Sequence, residues 1–70
     1  MMPLMLADAD NEYTVIRVGG DKEVKQHLAD LGFVPGSVLK VVSKLGGNII
    51  INVKGTRVAI SREMASKIMV

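Results

Sequence analysis

The chain has 70 residues, a formal net charge of +2 and no cysteine. This length predicts a single domain over residues 1–70, near the lower size limit at which one apolar core offsets conformational entropy. One Phe, one Tyr and no Trp exclude aromatic platforms for stacking nucleic-acid bases, and the lack of cysteine excludes disulfides and thiolate metal sites.

The N-terminal segment Met1–Leu6 is apolar but has no basic residue before it, and Asp8 and Asp10 soon interrupt the apolar run. This pattern does not match a secretory signal peptide. No stretch approaches the roughly 18 uninterrupted apolar residues that a membrane-spanning helix needs. The sequence therefore predicts a soluble protein, and the lack of cysteine is compatible with a reducing cytosolic compartment.

The first regular elements are predicted to be a strand and a helix. The β-branched run Tyr13–Val18 is typical of one strand. Either Asp21 or Gly20 can cap the helix that follows, which we expect to continue to about Leu31. Its apolar stripe comprises Val24, Leu28 and Leu31.

Two changes of chain direction are predicted directly after this helix. Gly32 stands where a helix commonly ends in a left-handed residue, and Phe33 can close the hydrophobic contact of a Schellman motif. Pro35 and Gly36 suit the central positions of a type II turn. The side chains expected to hold this corner from inside are Leu28, Leu31 and Val38.

Three strands in an antiparallel meander are predicted next, over Val38–Ser43, Ile49–Val53 and Arg57–Ile60. Gly46-Gly47-Asn48 and Lys54-Gly55 are the expected tight turns between them. Because such short strands cannot leave both sheet edges and one face unprotected, the favoured arrangement is a curled sheet.

The chain is expected to end in a short helix capped by Ser61, from Arg62 to about Lys67, and a last strand at Met69–Val70. The predicted fold is mainly β: a small SH3-like barrel of about five short strands, with one helix after the first strand and a short C-terminal helix. Five methionines lie near the two chain ends, where closure of a barrel would use them as core filling rather than as a soft partner surface or a Cu(I) site. They are Met1, Met2, Met5, Met64 and Met69.

Weak metal-ligand candidates are Asp8, Asp10, Glu12 and His27. The acidic stretch lacks the glycine bend and the terminal bidentate Glu of a calcium loop, so a solvated turn is favoured over weak contact with Fe²⁺ or Mn²⁺. His27 is the only histidine, and we expect it to be half-buried and hydrogen-bonded rather than catalytic or metal-bound. No spacing matches a phosphate-binding loop. The sequence predicts neither an enzyme nor a firmly bound cofactor.

Four cations, Lys40, Lys44, Lys54 and Arg57, occur on the predicted strands and hairpins. Without interleaved aromatic residues, an ordinary solvated face is favoured over a nucleic-acid footprint. Two alternatives nevertheless stay open: a small nucleic-acid-binding barrel that uses these cations, and a metal-sensing domain that uses the candidate ligands.

The run LADLGFVPGSV, from Leu28 to Val38, resembles the FeoA family, whose pattern is L-x-x-L-G-[LFM]-x-P-G followed by a strand of V-x-V type. The resemblance extends to Leu4 and Leu6 in an opening apolar element and to Gly19-Gly20 before the helix. It also includes Val58–Ser61 and Ile68–Val70 near the end. The chain departs from the family pattern at Gln26-His27, where a basic pair is common, and at residues 8–11, where a turn containing glycine is usual.

The resemblance implies a cytoplasmic SH3-like barrel that binds no nucleotide and serves ferrous iron uptake. Its implied partner is FeoB, a membrane permease with a cytoplasmic GTP-binding domain, so the chain would be peripheral to the membrane through that partner. The same fold is implied for the C-terminal domain of DtxR-type iron-dependent repressors. The expected partner-binding residues are Lys25, Gln26, Lys40 and Lys44.

Overall fold

The structure is a computed structural model that describes residues 1–70, and it is mostly β with two short α-helices. In chain order, a 3₁₀ turn at Leu4–Leu6 precedes strands β1 and β2, helix α1, strands β3, β4 and β5, helix α2 and strand β6. These elements cover Glu12–Thr14 (β1), Arg17–Val18 (β2), Lys22–Asp30 (α1), Val38–Leu45 (β3), Asn48–Val53 (β4), Thr56–Ser61 (β5), Arg62–Ala65 (α2) and Ile68–Met69 (β6).

Four strands form one sheet in the order β1, β3, β4, β5, and β2 pairs with β6 in a second sheet. All pairings are antiparallel, so the predicted meander of β3, β4 and β5 is confirmed. A register shift between Val41 and Ser43, which the sequence pattern does not reveal, marks a bulge in β3. Since a bulge bends its strand and increases the local twist, it curves the sheet around the core.

The prediction of one strand over Tyr13–Val18 was wrong, because this run serves two sheets. β1 pairs with β3 and β2 pairs with β6. Between them the Val15 N–H donates to the Ser37 carbonyl at 2.8 Å, and the Ile16 N–H donates to the Met69 carbonyl at 2.8 Å. The chain therefore changes partner at the buried Val15, and there are six short strands rather than about five.

The chain ends meet, as predicted from barrel closure. Met2 and Val70 exchange two backbone hydrogen bonds of 2.8 Å each, and Pro3 forms an isolated bridge with Met69. Met2, Met5 and Met64 pack against the core from partly buried positions. Met1, however, is 76% exposed.

The corner at residues 28–37 has the predicted geometry. The Phe33 N–H donates to the Leu28 carbonyl and the Gly32 N–H to the Ala29 carbonyl, both at 2.9 Å, which is the hydrogen-bond pair of a Schellman motif. Gly32 and Gly36 have φ values of 109° and 93°. The Ser37 N–H donates to the Val34 carbonyl at 3.0 Å, which closes the turn around Pro35 and Gly36.

Val38 does not hold this corner from inside, contrary to the expectation, because its side chain is 55% exposed. Side chains alternate across a strand, and Leu39 is the one that faces the core. Strand β3 also extends beyond Ser43 to Leu45, and Asn48 begins β4 instead of belonging to the turn.

The helices are capped as predicted, but the second is shorter than expected. The Asp21 side chain accepts a hydrogen bond from the Val24 N–H at 2.9 Å, and the Ser61 hydroxyl accepts one from the Met64 N–H at 3.1 Å. Helix α2 ends at Ala65, because Ile68 must be extended to pair with Val18. The last strand is accordingly Ile68–Met69 rather than Met69–Val70.

One apolar core occupies the space between the two sheets and the helices. Its 14 side chains include no polar or charged residue. The corner contributes Phe33 and α1 contributes Leu28, and both side chains are almost fully buried. Neither α-helix has the length and apolar composition that crossing a membrane requires.

Candidate functional site

The expected partner-binding side chains are distributed over helix α1 and strand β3. Lys25 and Gln26 are exposed on α1, and the Gln26 Nε2 donates to Asp30 Oδ1 at 2.9 Å. Gln26, Lys40 and Lys44 each line a different depression, and the three depressions share no residue. These three side chains are therefore not neighbours within one depression.

Lys44 is engaged within the chain. Its register partner on β4 is Ile49, and Ile49 is paired with the buried Ile60 on β5, so Lys44 belongs to the core-facing row of the sheet. The Lys44 Nζ donates to the Met5 carbonyl at 3.2 Å. This bond connects β3 to the 3₁₀ turn near the N-terminus, and Lys44 is thus separated from the other strand cations.

A row of polar side chains crosses the outer face of the sheet. Glu12 lies opposite Lys40, Lys40 opposite Asn52, and Asn52 opposite Arg57, and all four side chains are exposed. Because opposite charges on neighbouring strands attract, Glu12 offsets part of the positive charge of this row. The row is therefore of mixed charge.

The candidate metal ligands are not gathered into a site. Asp8 lies in the turn before β1, where its N–H donates to the Tyr13 hydroxyl at 3.0 Å, and Asp10 has a positive φ of 68°. Glu12 points to the outer sheet face, and His27 lies on α1 beside Glu23. No group of three or more His, Cys, Asp or Glu side chains is close enough to hold a metal ion.

The expectation of a half-buried, hydrogen-bonded His27 was wrong, because this side chain is exposed. Leu28 is the fully buried residue of α1, and the preceding residue is rotated by about 100° around a helix of 3.6 residues per turn. That rotation turns His27 away from the core and places it among the polar residues of the outer helix face.

A groove between the end of α1 and strand β5 adjoins the corner. A Cβ atom added at Gly32 would lie 3.4 Å from Val53 Cγ2, so the chain leaves the helix in van der Waals range of β4. The groove is lined by two charged residues, Asp30 and Lys54, and by several uncharged ones. The uncharged ones are Ala29, Leu31, Gly32, Val53, Thr56 and Val58.

Comparison with known proteins identifies the family. The sequence model of the FeoA domain family matches residues 2–70. This chain belongs to the FeoA domain family. A Methanocaldococcus jannaschii relative named Fe(2+) transport protein A is 39% identical over 70 residues, which are 100% of this chain and 85% of the relative. The family resemblance carried by residues 28–38 is thereby confirmed.

Solved structures confirm the SH3-like fold of this FeoA domain. A crystal structure of an iron uptake regulatory protein, FeoA, has a TM-score of 0.90 and 31% identity, with 97% of this chain and 90% of that chain covered. The zinc complex of Stenotrophomonas maltophilia FeoA, described as a prokaryotic SH3 domain protein, has a TM-score of 0.85 and 24% identity, and the coverage is 99% and 88%.

The expected likeness to repressor domains is also confirmed at the level of the fold. A manganese-dependent transcriptional repressor has a TM-score of 0.86 and 22% identity, with 94% of this chain but only 38% of that chain covered. The FeoA domain thus has the fold of a part of a larger regulatory protein.

Sequence reasoning missed the groove of this FeoA domain. Its two walls come from α1 and β5, which are separated in the chain by two other strands. The one available signal was Gly32, since a residue without a side chain allows a helix end to approach a strand closely.

Proposed function

We propose that this FeoA domain is a non-enzymatic accessory protein of ferrous iron uptake that binds the cytoplasmic side of a FeoB-type membrane transporter. The observation that carries the proposal is the family match over residues 2–70, together with a match over 85% of a relative named Fe(2+) transport protein A. Fe²⁺ is the cargo of the transporter in this proposal.

A binding protein of this kind acts by favouring one state of its partner. An accessory protein can shift the equilibrium of a transporter only by as much as its affinity differs between the transporter's states. The hydrogen-bonded corner and the single apolar core suit this role, because a preorganised surface loses little conformational freedom on binding. The chain would then stay peripheral to the membrane and be held there by its partner.

Calorimetry tests this proposal directly. The purified chain is titrated into the detergent-solubilised FeoB-type transporter of the same organism and, separately, into the isolated GTP-binding domain of that transporter. We expect saturable binding to the transporter and no hydrolysis of GTP by the chain alone.

Uptake of radiolabelled ferrous iron by cells provides the second readout. Deletion of the chain should change the uptake rate, and expression of the chain from a plasmid should restore it. Absence of binding to the transporter, together with uptake that is unchanged by the deletion, would refute the proposal.

A further inference from the structure

Strand β5 leaves one long edge of the four-stranded sheet open. It has β4 as its only neighbour, and no backbone hydrogen bond outside the regular elements involves residues 56–61. The opposite edge, β1, is only three residues long, whereas β5 has six. An open edge of this length can add a further strand through its unpaired backbone groups.

The register between β4 and β5 shows which backbone groups point outward. The two-residue turn at Lys54 and Gly55 makes Val53 and Thr56 a hydrogen-bonded pair. Hydrogen-bonded pairs then recur at every second residue, so the intervening residues direct their backbone groups away from β4. These residues are Arg57, Ala59 and Ser61, each with an N–H available to an added strand.

The groove beside α1 would accommodate side chains of such a strand. Thr56 and Val58 line this groove, and they lie on the side of β5 opposite to Arg57 and Ala59, because successive side chains alternate between faces. Leu31 and Val58 are both half-buried and pack against the core from its margin. A residue opposite Val58 would therefore contact apolar side chains, and its neighbours would lie on the outer face beside Arg57.

The charges around β5 indicate the chemistry of the occupant. Lys54 in the preceding turn and Arg57 on β5 are exposed cations, and β5 itself contains no Asp or Glu. Asp30 is the one acidic residue that lines the groove. Antiparallel pairing with a second copy, centred on Ala59, would place Arg57 of one copy opposite the uncharged Ser61 of the other. A second copy thus offers no charge complementary to Arg57, whereas a segment that bears carboxylates does.

We propose that the open edge of β5 and its adjoining groove bind an extended partner segment in which apolar and acidic residues alternate. The backbone of the segment pairs with Arg57 and Ala59, its apolar side chains enter the groove, and its carboxylates face Arg57. This inference rests on the proposed function, since it assigns the surface through which the chain holds its transporter.

The first probe is a synthetic, capped peptide of alternating glutamate and valine, added to the ¹⁵N-labelled chain in an NMR titration. The largest amide shifts are expected at Arg57, Ala59 and Ser61, together with slower hydrogen exchange at these amides. A lysine–valine peptide of the same length tests the charge, and a glutamate–valine peptide with N-methylated amides tests the backbone pairing. Equal binding of all three peptides, or shifts confined to other surfaces, would overturn the inference.

Two variants test the same surface in the full chain. Ala59→Pro removes an outward N–H at a position where an edge strand tolerates proline, and we expect it to weaken peptide binding by about tenfold through loss of a hydrogen bond. Ala59→Thr is the matched control that keeps the N–H. Arg57→Glu should weaken binding by about tenfold or more through charge repulsion, whereas Arg17→Glu, an exposed arginine on β2, should leave it unchanged.

Thermal melting of each variant verifies that the fold is intact, and sedimentation of the free chain tests for self-association. A dimer that Ala59→Pro disrupts would show that β5 pairs with a second copy, which contradicts the inference. Transporter binding that is unaffected by Ala59→Pro and Arg57→Glu would contradict it as well, while leaving the proposed function intact. Peptide binding at β5 by a chain that neither binds the transporter nor affects iron uptake would instead refute the proposed function alone.

Discussion

The corner at residues 28–37 and the hairpin tip at residues 45–48 both depend on glycine with positive φ, yet they differ in packing. At the corner, Phe33 is 1% exposed and the backbone forms the Schellman pair and a type II turn. At the tip, Leu45 is 64% exposed, and a Cβ added at Gly46 or Gly47 would meet no atom within 4 Å. Glycine therefore marks a packed joint in one region and an open turn in the other.

Two matched leucine truncations should show the largest difference between these regions. Leu28→Ala is expected to cost about 2–5 kcal/mol of unfolding free energy, because it leaves a cavity in the core. Leu45→Ala at the exposed tip should change it by less than about 0.5 kcal/mol. Urea unfolding followed by circular dichroism measures both. Similar values for the two variants would mean that the corner is not packed as described.

Gly32→Ala is the next largest expected effect. The added Cβ would be in ordinary contact with Val53 at 3.4 Å, so the cost comes from the φ of 109° rather than from a clash. A residue with a side chain in such a sparsely populated region costs about 1–3 kcal/mol. An unchanged melting temperature would show that the helix end can rearrange without loss of stability.

Gly46→Ala should have a smaller effect at the tip. Its φ of 57° lies in the left-handed region, where alanine is disfavoured by about 1–2 kcal/mol relative to its usual conformation. The open surroundings allow the turn to adjust, so we expect about 1 kcal/mol by urea unfolding. A cost above that of Gly32→Ala would reverse the ranking of the two regions.

Gly47→Ala should have the smallest effect on stability. It is the control for replacing a glycine at the tip that does not need a positive φ. Gly47 does not have a positive φ and has open space around it. Replacing such a glycine reduces the conformational entropy of the unfolded chain, which stabilises a protein by about 0.4–1 kcal/mol where the backbone is compatible. Differential scanning calorimetry should show an equal or slightly higher melting temperature, and a clear decrease would contradict the assigned turn geometry.

Features that depend on local chemistry were predictable from the sequence. Gly32 and the Pro35-Gly36 pair predicted both changes of direction at the corner, and Asp21 and Ser61 predicted the two helix caps, because each acts on its nearest neighbours. The FeoA resemblance was carried by the same stretch, and the family match confirmed it.

Features that depend on distant partners were not predictable from the sequence. The run Tyr13–Val18 is uniformly favourable for a strand, and nothing in it shows that its partner changes at Val15. The sequence also grouped Lys44 with Lys40, although the bulge in β3 and the bond to the Met5 carbonyl separate them. The open edge of β5 depends on which strands remain unpaired, and this is a property of the whole sheet.

The pairing of Met2 with Val70 has a consequence for the order of folding. This contact closes a loop that contains nearly the whole chain, so it carries the greatest closure entropy, whereas the β3–β4 and β4–β5 hairpins close through two residues each. Non-local contacts of this kind slow folding and are made late. The Met2–Val70 pairing should therefore form after the meander and open before it. Native-state hydrogen exchange should detect this opening first at the amides of Met2 and Val70.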